Sequence, residues 1–219
     1  AFIYNGLAAR PFWNASILAP RFLASAFCSG PALIILLFQI VRHYTKFHVK
    51  DEALHKIAEM IAIAMAINLF LLGAEFFKEL YSDTHHLSPL KYLYLGMDGK
   101  GRLVPWIWTA LVFNVVAFFI FLIPFTRKKF LTLNLGCVLI IIGIWIEKGM
   151  GLIIPGFIPA PLGEVWEYAP TTLEILVSLG IWAIGLLLLT INLKIVLPIE
   201  TGEFTKHSSQ ERAFAAERA

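Results

Sequence analysis

The chain has 219 residues, 58% of them hydrophobic and only 15% charged, with a mean hydropathy of +0.75. A soluble domain is about half apolar and a quarter charged, so this composition excludes an ordinary soluble globule and points to an integral membrane protein. The net charge of +3 is small and gives no footing for a nucleic-acid partner.

A bilayer core about 30 Å thick needs roughly 20 apolar residues per helix. In chain order, five stretches reach that length, at about residues 17–41, 57–77, 104–125, 131–146 and 173–197. Lipid cannot satisfy an open backbone, so the spans are helices and the expected fold is an all-α integral membrane bundle of five transmembrane helices. The sequences HVKDE, DGKGR, TRKK and IPGFIPAPLGE supply the breaks between them. Residues 1–203 form the five-span domain, and residues 204–219 a polar tail. The chain begins at Ala1 rather than Met and carries no basic-then-apolar signal segment, so a processed start or a piece of a longer chain is expected.

Basic residues set the expected orientation, because Lys and Arg concentrate on the cytoplasmic side. One side carries Arg42, Lys46, Lys50, Lys56, Arg127, Lys128, Lys129, Lys194, Lys206, Arg212 and Arg218. The other carries Arg10, Lys78, Lys91, Lys100, Arg102 and Lys148, in longer loops that also hold acids. The first side is therefore assigned to the cytoplasm, together with the C-terminus. Trp106, Trp108, Trp145, Trp166 and Tyr168 then lie near the outer ends, as an interfacial aromatic belt does.

Charged residues inside apolar spans carry the main clue, since an unpaired charge in hydrocarbon costs several kcal/mol. With this orientation Arg21, Glu75, Glu147 and Glu174, each on a different span, fall in the same outer leaflet. Arg binds carboxylates through a planar fork and stays protonated, so Arg21 is expected to pair with at least one of the three acids. An excess of acid over cation would let one carboxyl exchange protons. Asn68, Leu72 and Glu75 share a helix face, as do Gly136, Gly143 and Glu147, and as do Glu174, Ser178, Gly185 and Asn192. These faces are expected to point into the bundle. The plain alternative is that charges at span ends reach the headgroups, and Lys78, Glu79 and Lys148 are expected to do so. Glu59 reads as a surface acid beside Lys56.

The six histidines lie in loops or at helix edges, and none is placed in a span as an axial ligand would be, so no haem or metal is expected in this segment. His85–His86 reads as a solvated pair rather than a metal site. Cys28 and Cys137 stand singly in apolar runs, as buried structural thiols do. No catalytic Ser–His–acid arrangement, P-loop or dinucleotide fingerprint is present, so no catalytic residue is assigned.

The segments ARPFWNASILAPRFLASAFCSGPAL (9–33), IIGIWIEKGMGLIIPGFIPAPLGEVWEYAPTTLEILVSLGIWAIG (141–185) and KIVLPIETGE (194–203) resemble the polysulfide reductase NrfD family of membrane subunits. The similarity is to the second half of ten-span members such as those of sulfate-reducing organisms. It implies a membrane subunit of an anaerobic respiratory oxidoreductase complex in a bacterial or archaeal cytoplasmic membrane. Such a subunit exchanges electrons with menaquinone or menaquinol and passes them to or from a periplasmic ferredoxin-like iron–sulfur subunit, which is coupled to a cytochrome or molybdenum subunit. The family's principal quinone pocket lies in an N-terminal half not represented here, and that half would be a further partner. The positions matching the family's acidic pattern are Glu147 in WIEKG and Glu174 in PTTLEI, which implies a proton-handling or structural role for them. Outer loops 81–102 and 155–170 would contribute to the partner's docking surface. A transporter or ion-conducting bundle is the alternative reading, and a purely structural membrane anchor is another.

Overall fold

The computed structural model describes residues 2–7, 9, 10, 12–45, 47, 49–82, 87–158, 160, 163–168 and 170–202. The His85–His86 pair, the tail 204–219, and Lys46, Lys206, Arg212 and Arg218 of the basic side lie outside the described residues. The helices are α1 (Phe2–Asn5), α2 (Leu18–Tyr44), α3 (Asp51–Ser82), α4 (Leu87–Tyr94), α5 (Val104–Leu122), α6 (Pro124–Arg127), α7 (Phe130–Lys148), α8 (Met150–Ile153) and α9 (Thr172–Glu200). A 3-10 turn, Pro155–Phe157, follows α8. Among the described residues, five helical stretches are long and apolar enough to cross a membrane: α2, α3, α5, α7 continued to Phe157, and α9. The chain is thus a multi-pass, all-α membrane protein. The second span is longer than its apolar run suggests, since α3 has 32 residues and rises about 48 Å.

Contacts divide the chain into two compact units, Ala1–Ile40 with Val49–Tyr168, and Val41–His48 with Ala169–Ala219. The first unit is built on α2, α3, α5 and α7. Its core joins Cys28, Ala32 and Ile35 of α2 to Ala58, Ile61 and Met65 of α3. Ala117 and Phe121 of α5 and Leu133, Cys137 and Ile140 of α7 complete it. In lipid such packing is driven by close contact rather than by escape from water, so small residues matter most where two backbones meet.

That rule is clearest between α5 and α7, which run antiparallel in a register fixed by glycine. A Cβ on Gly136 would stand 2.9 Å from Phe121, one on Gly143 would stand 2.5 Å from the Asn114 side-chain oxygen, and one on Gly151 would stand 2.9 Å from Ile107. The turn between the helices is tied down by side chains that take up carbonyls left open at the end of α5. Thr126 Oγ1 donates to Ile120 O at 2.7 Å, and Arg127 Nη1 donates to Phe121 O at 3.1 Å. At the same end, α2 and α7 are joined by a reciprocal amide pair between Gln39 and Asn134, at 2.5 and 3.0 Å.

Over the opposite end lies a cap made of α4, α8, the 3-10 turn and the loop through Val165. Leu87, Leu90, Tyr92, Leu93 and Tyr94 of α4 pack with Leu103, Ile107, Ile158 and Val165. A hairpin at GMDGK has Gly96, Asp98 and Gly99 at positive φ, and Met97 and Lys100 bridge across it. Lys100 Nζ donates to Val165 O at 2.5 Å, and Arg102 Nε lies 3.3 Å from Glu167, joining the loop before α5 to the loop before α9. Trp13, from the segment before α2, lies against Gly156, where a Cβ would collide with the indole, and donates to Leu152 O at 2.9 Å.

In the second unit, α9 buries none of its residues. The stripe of Glu174, Ser178, Gly185 and Asn192, expected to face inward, is exposed along it. Ser178 and Asn192 donate to carbonyls four residues back in their own helix, which satisfies them locally.

Candidate functional site

The covered end of the first unit gathers four charged side chains from three helices. Arg21 comes from the first turn of α2, Glu75 from the late part of α3, and Glu147 and Lys148 from the last turn of α7. Because α2 runs opposite to α3 and α7, one early and three late positions meet at one depth. Arg21 is 8% exposed and Glu75 and Glu147 are each 5% exposed, so all three are buried.

Arg21 uses its fork to bridge the two acids. Nη1 pairs with Glu75 Oε2, and Nη2 donates to Glu147 Oε1 at 2.5 Å. Glu147 is held by two further donors: Asn114 Nδ2 reaches Oε2 at 2.8 Å, and Lys148 Nζ reaches Oε1 at 2.9 Å. The Lys148 ammonium also lies 5.5 Å from the centre of the Phe22 ring. Two carboxylates therefore meet two cations, and the formal charge of the group sums to zero. Charge-assisted bonds of this kind are about twice as strong as neutral ones, and satisfied lone pairs are what make burial of ions tolerable.

Three features differ from the sequence-based expectation. Lys148 does not extend to the headgroups; its side chain is 11% exposed and belongs to the cluster. The cause is local: α7 ends at Lys148, and the chain turns at Gly149 into α8, which covers the end of the helix. Glu79 likewise is buried beside Lys78 at 3.2 Å instead of lying at the surface. With Lys148 included, the expected excess of acid over cation is not found among the described residues of the cluster.

Glu174 is placed in the second unit, where it works as a helix cap. Thr171 N donates to Glu174 Oε2 at 2.7 Å, and Glu174 N donates back to Thr171 Oγ1 at 3.4 Å, forming a capping box at the start of α9. Glu59 stands beside Lys56 at 2.9 Å, as a surface pair.

Asn114 does not stand out in the sequence, although a signal exists. It is the only Asn or Gln in α5, and a buried amide in mid-span needs a partner. Its Oδ1 faces Gly143, and its amide group reaches Glu147, so glycine and asparagine form one device that brings a donor beneath the carboxylate. Asn68, seven residues before Glu75 on α3, is fully buried with neither side-chain polar atom bonded among the described residues.

A cavity of about 20 Å³ adjoins the cluster, bounded by Arg21, Glu75, Glu147, Lys148, Tyr94 and Gly151. It has room for about one water molecule. Tyr94 closes it from the cap side; burial raises its phenol above the ordinary value of 10, with the nearby Arg21 charge opposing the shift. Trp108 Nε1 fixes the Tyr94 backbone by donating to its carbonyl at 3.1 Å. Among the described residues, no group of three or more His, Cys, Asp or Glu is arranged to hold a metal ion.

Two curated relatives are similar to the chain. A selenate reductase subunit of Mesobacillus selenatarsenatis is 26% identical over 205 residues, covering 89% of this chain and 46% of the relative. A putative dimethyl sulfoxide reductase membrane subunit of Halobacterium salinarum is 24% identical over 220 residues, covering 91% of this chain and 49% of the relative. The chain spans about half the length of the curated relatives it matches. No solved structure matches it. The family model described as polysulphide reductase, NrfD, matches residues 1–160, which takes in the segment before α2, the cap as far as Ile158 and every residue of the Arg21 cluster. The chain belongs to the polysulphide reductase NrfD family.

Proposed function

We propose that the chain acts within the membrane subunit of a reductase complex, exchanging electrons with a quinone pool on behalf of an iron–sulfur partner. The observation that carries this reading is the family match over residues 1–160, together with two relatives whose names make them subunits of reductases. Menaquinone is the proposed carrier, and the proposed location is a bacterial or archaeal cytoplasmic membrane with the C-terminus inside.

The cluster does not fit the quinone itself. A cavity of about 20 Å³ is too small for an aromatic headgroup, so no electron step is drawn through Arg21, Glu75 or Glu147. Their role in this proposal is to hold charge, and a proton, beside the redox chemistry. Glu147 receives three donors and is locked as a carboxylate acceptor. Glu75 is held by Arg21 alone among the described residues, which makes it the group better placed to take a proton. When it does so, the Arg21 fork still holds Glu147.

The test is purification from the native membrane with a mild detergent, followed by assay of quinol-dependent reduction. Co-purification of an iron–sulfur subunit and quinol-dependent turnover are expected. A chain that purifies without redox partners and sustains solute flux in vesicles would overturn the reading in favour of a transporter. For the proton role, Glu75→Gln is expected to lower protons moved per quinol oxidised while leaving electron transfer measurable. An unchanged ratio would leave the cluster a purely structural ion pair.

A further inference from the structure

A proton that reaches Glu75 arrives from one of two directions along α3. Toward the cap, Glu75 and Arg21 line the cavity of about 20 Å³ together with Tyr94. Away from the cap, Leu72 and then Asn68 follow Glu75 on the same buried face of the helix.

The cap side is built for water. Arg21 is 8% exposed, and its fork is taken up by Glu75 and Glu147, which leaves Nε without a bond among the described residues. A buried donor of this kind is met by water where there is room, and the cavity admits about one molecule. The Arg21 and Glu147 charges both act on the Tyr94 phenol, so its hydroxyl stands within electrostatic reach of the cluster. Arg21 Nε, the Glu75 carboxylate and the Tyr94 hydroxyl give such a water its polar neighbours.

The other ionisable groups nearby are engaged elsewhere. Lys148 bonds Glu147 and lies against the Phe22 ring, and Glu79, one turn beyond Glu75, pairs with Lys78. The opposite direction is apolar at its first step. Leu72 stands between Glu75 and Asn68, and Met65 and Ile61 of the core come after Asn68 along α3.

We propose that one water molecule in this cavity carries protons between the Tyr94 hydroxyl and Glu75, so that Glu75 exchanges with the cap side. The inference rests on the proton role given to Glu75 above. In the step, a water O–H bond breaks as its proton joins the Glu75 carboxylate. The water oxygen takes the Tyr94 proton, and Tyr94 takes one from the cap side. The one net change is the neutralisation of Glu75.

The test is infrared difference spectroscopy of the protein purified with its partners, followed through an acid pH jump. The parent is expected to gain a carboxylic-acid band that Glu75→Gln lacks. With it should come a water stretch that shifts when the solvent carries heavy oxygen. Gly151→Ala sets a Cβ 2.9 Å from Ile107 at the cavity wall and should abolish that stretch. Tyr94→Phe keeps the ring contacts with Phe76 and Trp108, and should slow the acid band about a hundredfold, at the low end of what a positioned proton donor contributes. Asn68→Leu should leave the rate unchanged. An acid band without the shifting stretch, a stretch that survives Gly151→Ala, an unslowed Tyr94→Phe or a slowed Asn68→Leu would each overturn the relay while leaving the proton role of Glu75 standing. A parent with no acid band would overturn both.

Discussion

Asn114 and Glu147, on neighbouring antiparallel helices, are joined by a 2.8 Å bond from the amide to the carboxylate, made possible because Gly143 presents no side chain to the Asn114 oxygen. The glycine therefore matters twice, for helix packing and for the electrostatics of the buried acid. Gly143→Ala should destabilise the protein by about 1–3 kcal/mol, as overpacking does, seen as a lower Tm in detergent. The same change in an Asn114→Ala background should cost less, because the atom it strikes has been removed. Equal costs in both backgrounds would separate the glycine from the asparagine.

Arg21 is the cation on which two buried acids depend. Arg21→Met should cost about 3–5 kcal/mol of stability, the usual consequence of stranding buried charge. Adding Glu75→Gln and Glu147→Gln should restore part of the loss, because neutral amides replace the stranded carboxylates. Unfolding profiles of the single and triple variants measure this, and a triple variant no more stable than the single one would contradict the pairing.

Tyr94 and Tyr92 are held as neutral phenols by burial, both displaced upward from the ordinary value of 10. A group whose folded value is raised binds its proton more tightly when folded, so its stabilising contribution is complete below pH 10 and falls away as the pH rises beyond it. Alkaline titration at 295 nm should show two phenols ionising later than the exposed tyrosines, together with loosening of the cap. Replacing both by Phe should remove that late step.

The Arg102–Glu167 pair between two loops offers a contrast. The Arg102 side chain is 73% exposed, so solvent screens the attraction. Arg102→Ala should change stability by less than about 1 kcal/mol, within the range of surface pairs. A larger loss would mean that the loop junction supports the cap through more than this contact.

The spans were legible because length and hydropathy are summed over some 20 residues, so single errors wash out. The meeting of Arg21 with Glu75 and Glu147 followed from depth alone: in alternating helices, an early position on one and late positions on two others share a level. Lys148 was not legible, because its inward placement depends on where α7 stops and on α8 folding over it. A sequence pattern records neither the turn at Gly149 nor the cover. Asn114 was readable in principle but lacked a charge to draw notice. Glu174 shows the opposite limit, since Thr171 three residues before it spells a capping box, and local chemistry satisfied an acid that matched the depth of the cluster.

The indole of Trp13 donates to Leu152 across 139 positions of chain, and Arg21 reaches Glu147 across 126. Biogenesis inherits an order from this. The nascent polypeptide inserts α2 and α3 before either partner has left the ribosome, so Trp13 waits undocked and the Arg21–Glu75 pair waits for Glu147. Truncation before α7 should yield helices that insert yet hold Arg21 and Glu75 without Glu147 and Lys148, leaving a half-built cluster as a marker of unfinished chains for membrane quality control.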